Sequence, residues 1–194
     1  MMPSLLDHFH AVVPADLGAT LVTLTGETPG RIDQMLAGAL PLLAAALPGA
    51  APAGLDALLD EGLPGNDLLR RLFGTDIDPL ARCLAGSARS SRATALTLLG
   101  ALLPALAAAL HRALGAGPID RAAVLAVAIA GRAGALTALP PQLTVVLSNY
   151  PDLARRINPK PAPKRRKPGA ASGNWMLALV RRMRGSAPDQ SLPR

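Results

Sequence analysis

From Gln34 to Leu55 and again from Ala93 to Leu110 the chain runs for 22 and 18 residues without a charge, and each run is alanine and leucine with proline inside. Alanine and leucine are strong helix formers. With β-branched residues sparse and only 2% of the chain aromatic, an extended sheet has little to build on. Both runs are long enough to be considered as membrane spans. Against that reading, Thr94, Thr97, Gly100 and Pro104 break up one, and Pro41, Pro48, Gly49, Pro52 and Gly54 break up the other. Membrane helices draw on leucine, isoleucine, phenylalanine and valine, and alanine contributes little to insertion. The expectation is therefore an all-α fold: a compact multi-helix bundle with two proline-bent central helices, buried rather than spanning.

Start and stop signals divide the chain. Ser4 precedes an apolar stripe of Leu5, Leu6 and Phe9, and a second segment runs through Leu17, Leu21, Val22 and Leu24 to Gly26. Thr28 and Pro29 read as N-cap and first helical position of a helix that Pro48 and Gly49 stop. Short helices are expected over 53–61, 66–73 and 77–85, and a long one over 91–114. Pro118 is expected to open another through Ile119, Val124, Leu125, Val127 and Ile129, followed by a last element at 142–148. The segment 36–47, LAGALPLLAAAL, matches 99–110, LGALLPALAAAL, at a constant offset of 63 residues, with Pro41 on Pro104 and Thr28 on Ser91. A duplicated helical unit and a chance match of alanine and leucine both account for this.

The net charge of +7 is unevenly placed. Residues 1–154 carry nine arginines against twelve acids, whereas 155–194 carry eleven basic residues against Asp189 alone. The expected organisation is a helical domain over 1–150, a Pro-rich basic linker over 151–173, and a short amphipathic helix with a disordered end over 174–194. All three lysines, Lys160, Lys164 and Lys167, lie in the linker beside Arg165 and Arg166. Beyond them Trp175, Met176, Leu179, Val180 and Met183 form one apolar side of a short helix ending in Arg181, Arg182 and Arg184. Such a segment suits an anionic membrane surface or an acidic protein, and the KRRK run suits non-specific contact with nucleic acid. Docking of the terminal helix on the domain, or on a second copy in a homo-oligomer, is the alternative use of its apolar side.

Residues that carry chemistry are scattered. His8 and His10 are two apart, so a helix sends them to different faces, and His111 is distant. Asp56, Asp60 and Glu61 read as a solvated face, and Asp76 and Asp78 as helix-start carboxylates. Cys83 is the only cysteine, which excludes a disulfide within one chain, and its leucine-rich surroundings predict a buried, inert thiol despite the neighbouring Arg82. No phosphate-binding loop, dinucleotide glycine pattern or nucleophile elbow is found, and no cofactor or metal site is expected. The start of the chain has no Lys or Arg before Arg31, so it lacks the basic opening of a secretory signal and cytoplasmic residence is expected.

GALPLLAAAL at 38–47, Gly54 to Leu59, NDLLRRLFG at 66–74 and ARCLAGSARSSRATALTLLGALLPALAAAL at 81–110 together resemble the bacterial YidB-like family. The resemblance covers roughly residues 4–147. It implies a compact helical domain of unestablished function and supplies no catalytic residues. Some relatives place this domain ahead of a membrane segment and an OmpA-like peptidoglycan-binding domain, a layout from which this chain departs by ending soon after Trp175. The expected function is a non-catalytic interaction domain with a basic C-terminal segment, cytoplasmic or peripheral to the inner membrane. The alternatives are nucleic-acid binding through that segment and an apolar ligand held between bent helices.

Overall fold

A computed structural model describes residues 3–59, 63–115 and 120–159. Among these the chain is all helical: α1 (Leu5–Val12), α2 (Leu17–Thr25), α3 (Pro29–Ala46), α4 (Pro52–Leu59), α5 (Gly65–Phe73), α6 (Ile77–Ala88), α7 (Arg92–Leu114), α8 (Arg121–Thr137), α9 (Pro141–Leu147) and α10 (Pro151–Ile157). Contacts group the described residues into one unit. The two proline-bearing helices are the centre of that unit. α7 is packed by α1, α5 and α6, and α3 by α8, α6 and α2. Both are long and apolar enough to cross a membrane, yet 67% and 61% of their most apolar stretches lie inside the unit.

Local chemistry sets the helix ends. Ser4 and Asp7 form a reciprocal capping box at α1, the Asp7 amide donating to Ser4 Oγ at 3.2 Å and the Ser4 amide to the Asp7 carboxylate at 2.7 Å. Ser91 Oγ accepts from the Thr94 amide at 3.0 Å to open α7. Thr28 occupies the same position before α3, but its side chain makes no capping bond and Pro29 alone sets the start. Asp120 caps α8 through the Ala123 amide, so that helix opens at Arg121 rather than at Pro118, which lies outside the described residues. Ile129 is 56% exposed because α8 turns Val124, Ala128 and Ala135 inward.

The chain past Leu147 corrects the domain boundary. Residues 151–157 were expected in the linker, but they form α10, with Leu153 and Ile157 buried. Arg132 of α8 holds the end of this helix. Its Nε donates to the Ile157 carbonyl at 2.7 Å and its terminal nitrogen to the Arg156 carbonyl at 2.7 Å. A guanidinium there satisfies carbonyls that have no helical donor and opposes the negative end of the helix dipole. Arg156 also pairs with Asp76, at the foot of α6. The helical unit therefore continues to Pro159 rather than stopping at 150.

With so few bulky side chains, burial depends on backbones coming close. A Cβ at Gly54 of α4 would stand 2.4 Å from the Arg71 carbonyl of α5, and one at Gly65 of α5 would stand 2.0 Å from the Gly100 carbonyl of α7. Pro104 removes the amide that would otherwise bond the Gly100 carbonyl within α7. That carbonyl instead faces the first residue of α5. The Ala51 amide also donates to the Leu72 carbonyl at 2.9 Å, fastening α4 to α5 by their main chains.

The 63-residue offset of the sequence holds in the fold. α2 ends at Thr25 and α6 at Ala88, each followed by a left-handed residue, Gly26 (φ 69°) and Arg89 (φ 52°). The next helices start at Pro29 and Arg92, with prolines at 41 and 104 and buried leucines at 21 and 84, 40 and 103, 43 and 106, and 47 and 110. The hairpins α2–α3 and α6–α7 meet at their turns, where Ser90 donates to the carboxylate of its own equivalent, Glu27. α3 packs on α6 as well as α2, and α7 touches α2 as well as packing on α6.

The glycine contacts give a direct test of this packing. Gly65→Ala is expected to lower stability by about 2–3 kcal/mol in urea unfolding, because the backbone it meets has no rotamer to move. Gly30→Ala, whose Cβ would meet open space on α3, is expected to raise stability by about 0.5–1 kcal/mol.

Candidate functional site

The residues singled out for contact with an anionic surface, Lys160, Lys164, Arg165, Arg166, Lys167, Trp175, Arg181, Arg182 and Arg184, all lie outside the described residues. The described unit defines what surface and charge remain elsewhere.

Its carboxylates are largely committed to the fold. Glu27 pairs with Arg31, Asp56 with Arg121, Asp67 with Arg70, Asp76 with Arg156, Asp78 with both Arg82 and Arg92, and Asp152 with Arg155. Asp7 and Asp120 are helix caps. The Arg121–Asp56 pair is bidentate, at 2.9 and 2.6 Å, and ties α8 to α4. Hydrogen bonds from Ser90 and then Arg31 hold the Glu27 carboxyl below its ordinary range, and the Ser4 amide and hydroxyl do the same for Asp7. Asp76 and Asp78 were expected as helix-start caps. Asp76 sits at the cap position of α6 but makes no capping bond, and both carboxylates serve ion pairs to distant arginines.

Most of the arginines are committed too. The Arg132 guanidinium, partly buried while holding α10, is pulled below its ordinary range by desolvation. Sequence reasoning missed Arg132, since nothing local ties residue 132 to carbonyls 24 and 25 residues on.

The possible sites of chemistry stay apart. Among the described residues no three of His, Cys, Asp and Glu are grouped to hold a metal ion. Asp60 and Glu61 lie outside the described residues. Cys83 is fully buried on α6 with Sγ 3.9 Å from the Leu143 carbonyl, and desolvation pushes its thiol up to about 12. Its neighbour Arg82 is turned to Asp78, so no cation lowers that value. A groove of about 480 Å³ lies beside α5, α6 and the start of α7, lined by Asn66, Leu69, Thr75, Asp78, Arg92 and Leu96 among others. It sits at the edge of α7 rather than between the two proline-bearing helices, and its walls mix an ion pair with leucine.

One surface of α7 stands out against its equivalent on α3. Gly38, Pro41 and Ala45 of α3 are buried, whereas Ala101, Pro104 and Ala108, 63 residues later, are exposed. α8 and α10 pack on α3, and Leu143 of α9 reaches within 3.2 Å of where a Cβ at Gly38 would lie. No family model matches the chain, and no curated protein and no solved structure matches it either.

The buried thiol gives a check on the core. At pH 8 Cys83 of the native protein is expected to resist a thiol-specific chromogenic reagent and to react at full stoichiometry once the chain is unfolded in guanidinium. Rapid labelling of the native protein would place Cys83 at the surface.

Proposed function

We propose that this protein is a non-catalytic helical interaction module of the YidB-like type, whose basic C-terminal segment contacts an anionic membrane surface or an acidic partner from the cytoplasmic side. The observation that carries this reading is the distribution of uncommitted charge. Among the described residues eight of the ten carboxylates are spent on an arginine or a helix cap, Asp16 and Asp33 being the exceptions, so these residues offer little free acid to retain the cationic segment. Residues 160–194 carry nine basic residues against one acid. Interaction of such a segment with anionic lipid requires little shape complementarity and grows by about 1 kcal/mol per basic residue at the surface. The sole tryptophan, Trp175, stands next to the apolar run that would enter the interface.

The KRRK run at 164–167 supports a second reading, non-specific binding to nucleic acid by counterion release. No aromatic residue lies between Asn158 and Asn174 to stack on bases, which favours the first reading.

Cosedimentation with vesicles separates the two. Full-length protein is expected to pellet with phosphatidylserine-containing vesicles and not with neutral ones, and to keep most of that binding at moderate salt and with duplex DNA as competitor. Changing Lys164, Arg165, Arg166 and Lys167 to glutamine together is expected to weaken vesicle binding by about two orders of magnitude or more. Equal binding by this variant would reject the membrane reading, and preferential transfer to DNA with a steep loss in salt would establish the second.

A further inference from the structure

α10 ends the helical unit and begins a run of positive charge. From Arg155 to Lys167 the chain carries seven basic residues and no acid. The first two of these belong to the fold. Arg155 pairs with Asp152 of its own helix, and Arg156 with Asp76, whose side chain is only 17% exposed. α10 is seven residues long and meets α3, α9 and the short turn Leu47–Gly49 through one side. Leu153 and Ile157 are buried there, while Pro151, Asp152, Arg155 and Arg156 are exposed. A helix of this length does not persist alone in water, and two buried side chains are a small anchor against the entropy of ordering seven residues. A side chain from outside the helix completes the hold: Arg132 of α8 donates to the carbonyls of Ile157 and Arg156.

We infer that α10 is a releasable strap, clasped by Arg132, which opens while the rest of the unit stays folded and whose opening is favoured when the basic run engages an anionic lipid surface. The trigger rests on the membrane reading above, whereas the strap and its clasp do not. The Arg132 bonds reach across from α8, so they exist in the docked state alone and weigh wholly on the side of closure. Opening needs a backbone change only at the junction before α10, where Tyr150 already lies outside the helical region at φ −121° and ψ 73°. No described element follows α10, so no other described element has to move for it to leave. Its departure frees two guanidiniums, Arg132 from the carbonyls and Arg156 from Asp76. Arg155 is exposed in the docked state as well and adds no difference between the two states. A surface that gains Arg132 and Arg156 only when α10 is open binds the open state more tightly, and that differential affinity shifts the equilibrium towards it.

Hydrogen exchange on the full chain tests this, read at the amides of Ala154 to Asn158, which bond within α10, against those of α3 and α7. Without lipid the α10 amides are expected to exchange at least about a hundredfold faster than those of α3 and α7. Arg132→Gln is expected to speed them by about a further tenfold or more while α3 and α7 exchange as in the wild type. Asp76→Asn, which lets go of Arg156 from the other side, is expected to act in the same direction by about threefold. Three results overturn the strap: α10 exchanging at the rate of α3 and α7, Arg132→Gln leaving α10 unchanged, or Arg132→Gln speeding all three helices alike. With phosphatidylserine vesicles at a concentration that pellets the protein, exchange in α10 is expected to rise by about fivefold or more, and neutral vesicles are expected to leave it unchanged. Protein that pellets while α10 exchanges as before, or more slowly, overturns release by lipid and leaves the membrane reading standing. Protein that does not pellet rejects the membrane reading and the trigger together.

Discussion

Close approach of backbones is the constraint on which this fold rests. A chain with two phenylalanines, one tyrosine and one tryptophan cannot fill its interior with large rings, so each helix must bury small side chains by coming near its neighbour. Gly54 against Arg71 and Gly65 against Gly100 are where that demand is most severe. Pro104 belongs to the same contact: it costs α7 one internal hydrogen bond and leaves the freed carbonyl directed at the start of α5. In this setting a proline inside the longest helix is part of the packing rather than a fault in it.

The same constraint shapes the outside. Helices made of alanine present faces that look alike whether they are buried or bare, so chemistry alone does not say which face is covered. The fold resolves this by topology. The chain after α7 returns over α3 as α8, α9 and α10, and Arg132 fixes the end of that return by holding the carbonyls of Arg156 and Ile157. One hairpin is enclosed by this return and its equivalent is left open along α7. Charge follows a parallel division, with most acids of the described residues tied into pairs and caps while the lysines lie beyond Pro159.

Much of this was legible in the sequence. Fold class, the start of α3 at Pro29, the long helix α7, the stop at Gly26 and the offset of 63 residues all follow from caps, breakers and apolar spacing, because those signals are local. α10 was hidden by composition: Pro151 and the arginines beside it resemble the linker that follows, and the spacing of Leu153 and Ile157 by four was its only mark. The exposure of Ile129 had no local mark either, since in a helix of alanine, valine and glycine a single isoleucine fits either face. The bare stripe on α7 had no mark of its own, because Ala101, Pro104 and Ala108 differ in exposure, not in kind, from Gly38, Pro41 and Ala45. No candidate contact residue of the basic segment falls within the described residues, so that part of the reading rests on charge and sequence alone.

The arrangement of the two hairpins is the central claim, and their meeting point is a single pair of equivalent residues. A double-mutant cycle on Glu27→Ala and Ser90→Ala, read as unfolding free energy at pH 7 where the carboxylate is ionised, isolates that contact from the pairing of Glu27 with Arg31. The account predicts a coupling of about 1–2 kcal/mol, as for a hydrogen bond to a charged group. Additive effects of the two substitutions would contradict it, because the two turns would then not touch.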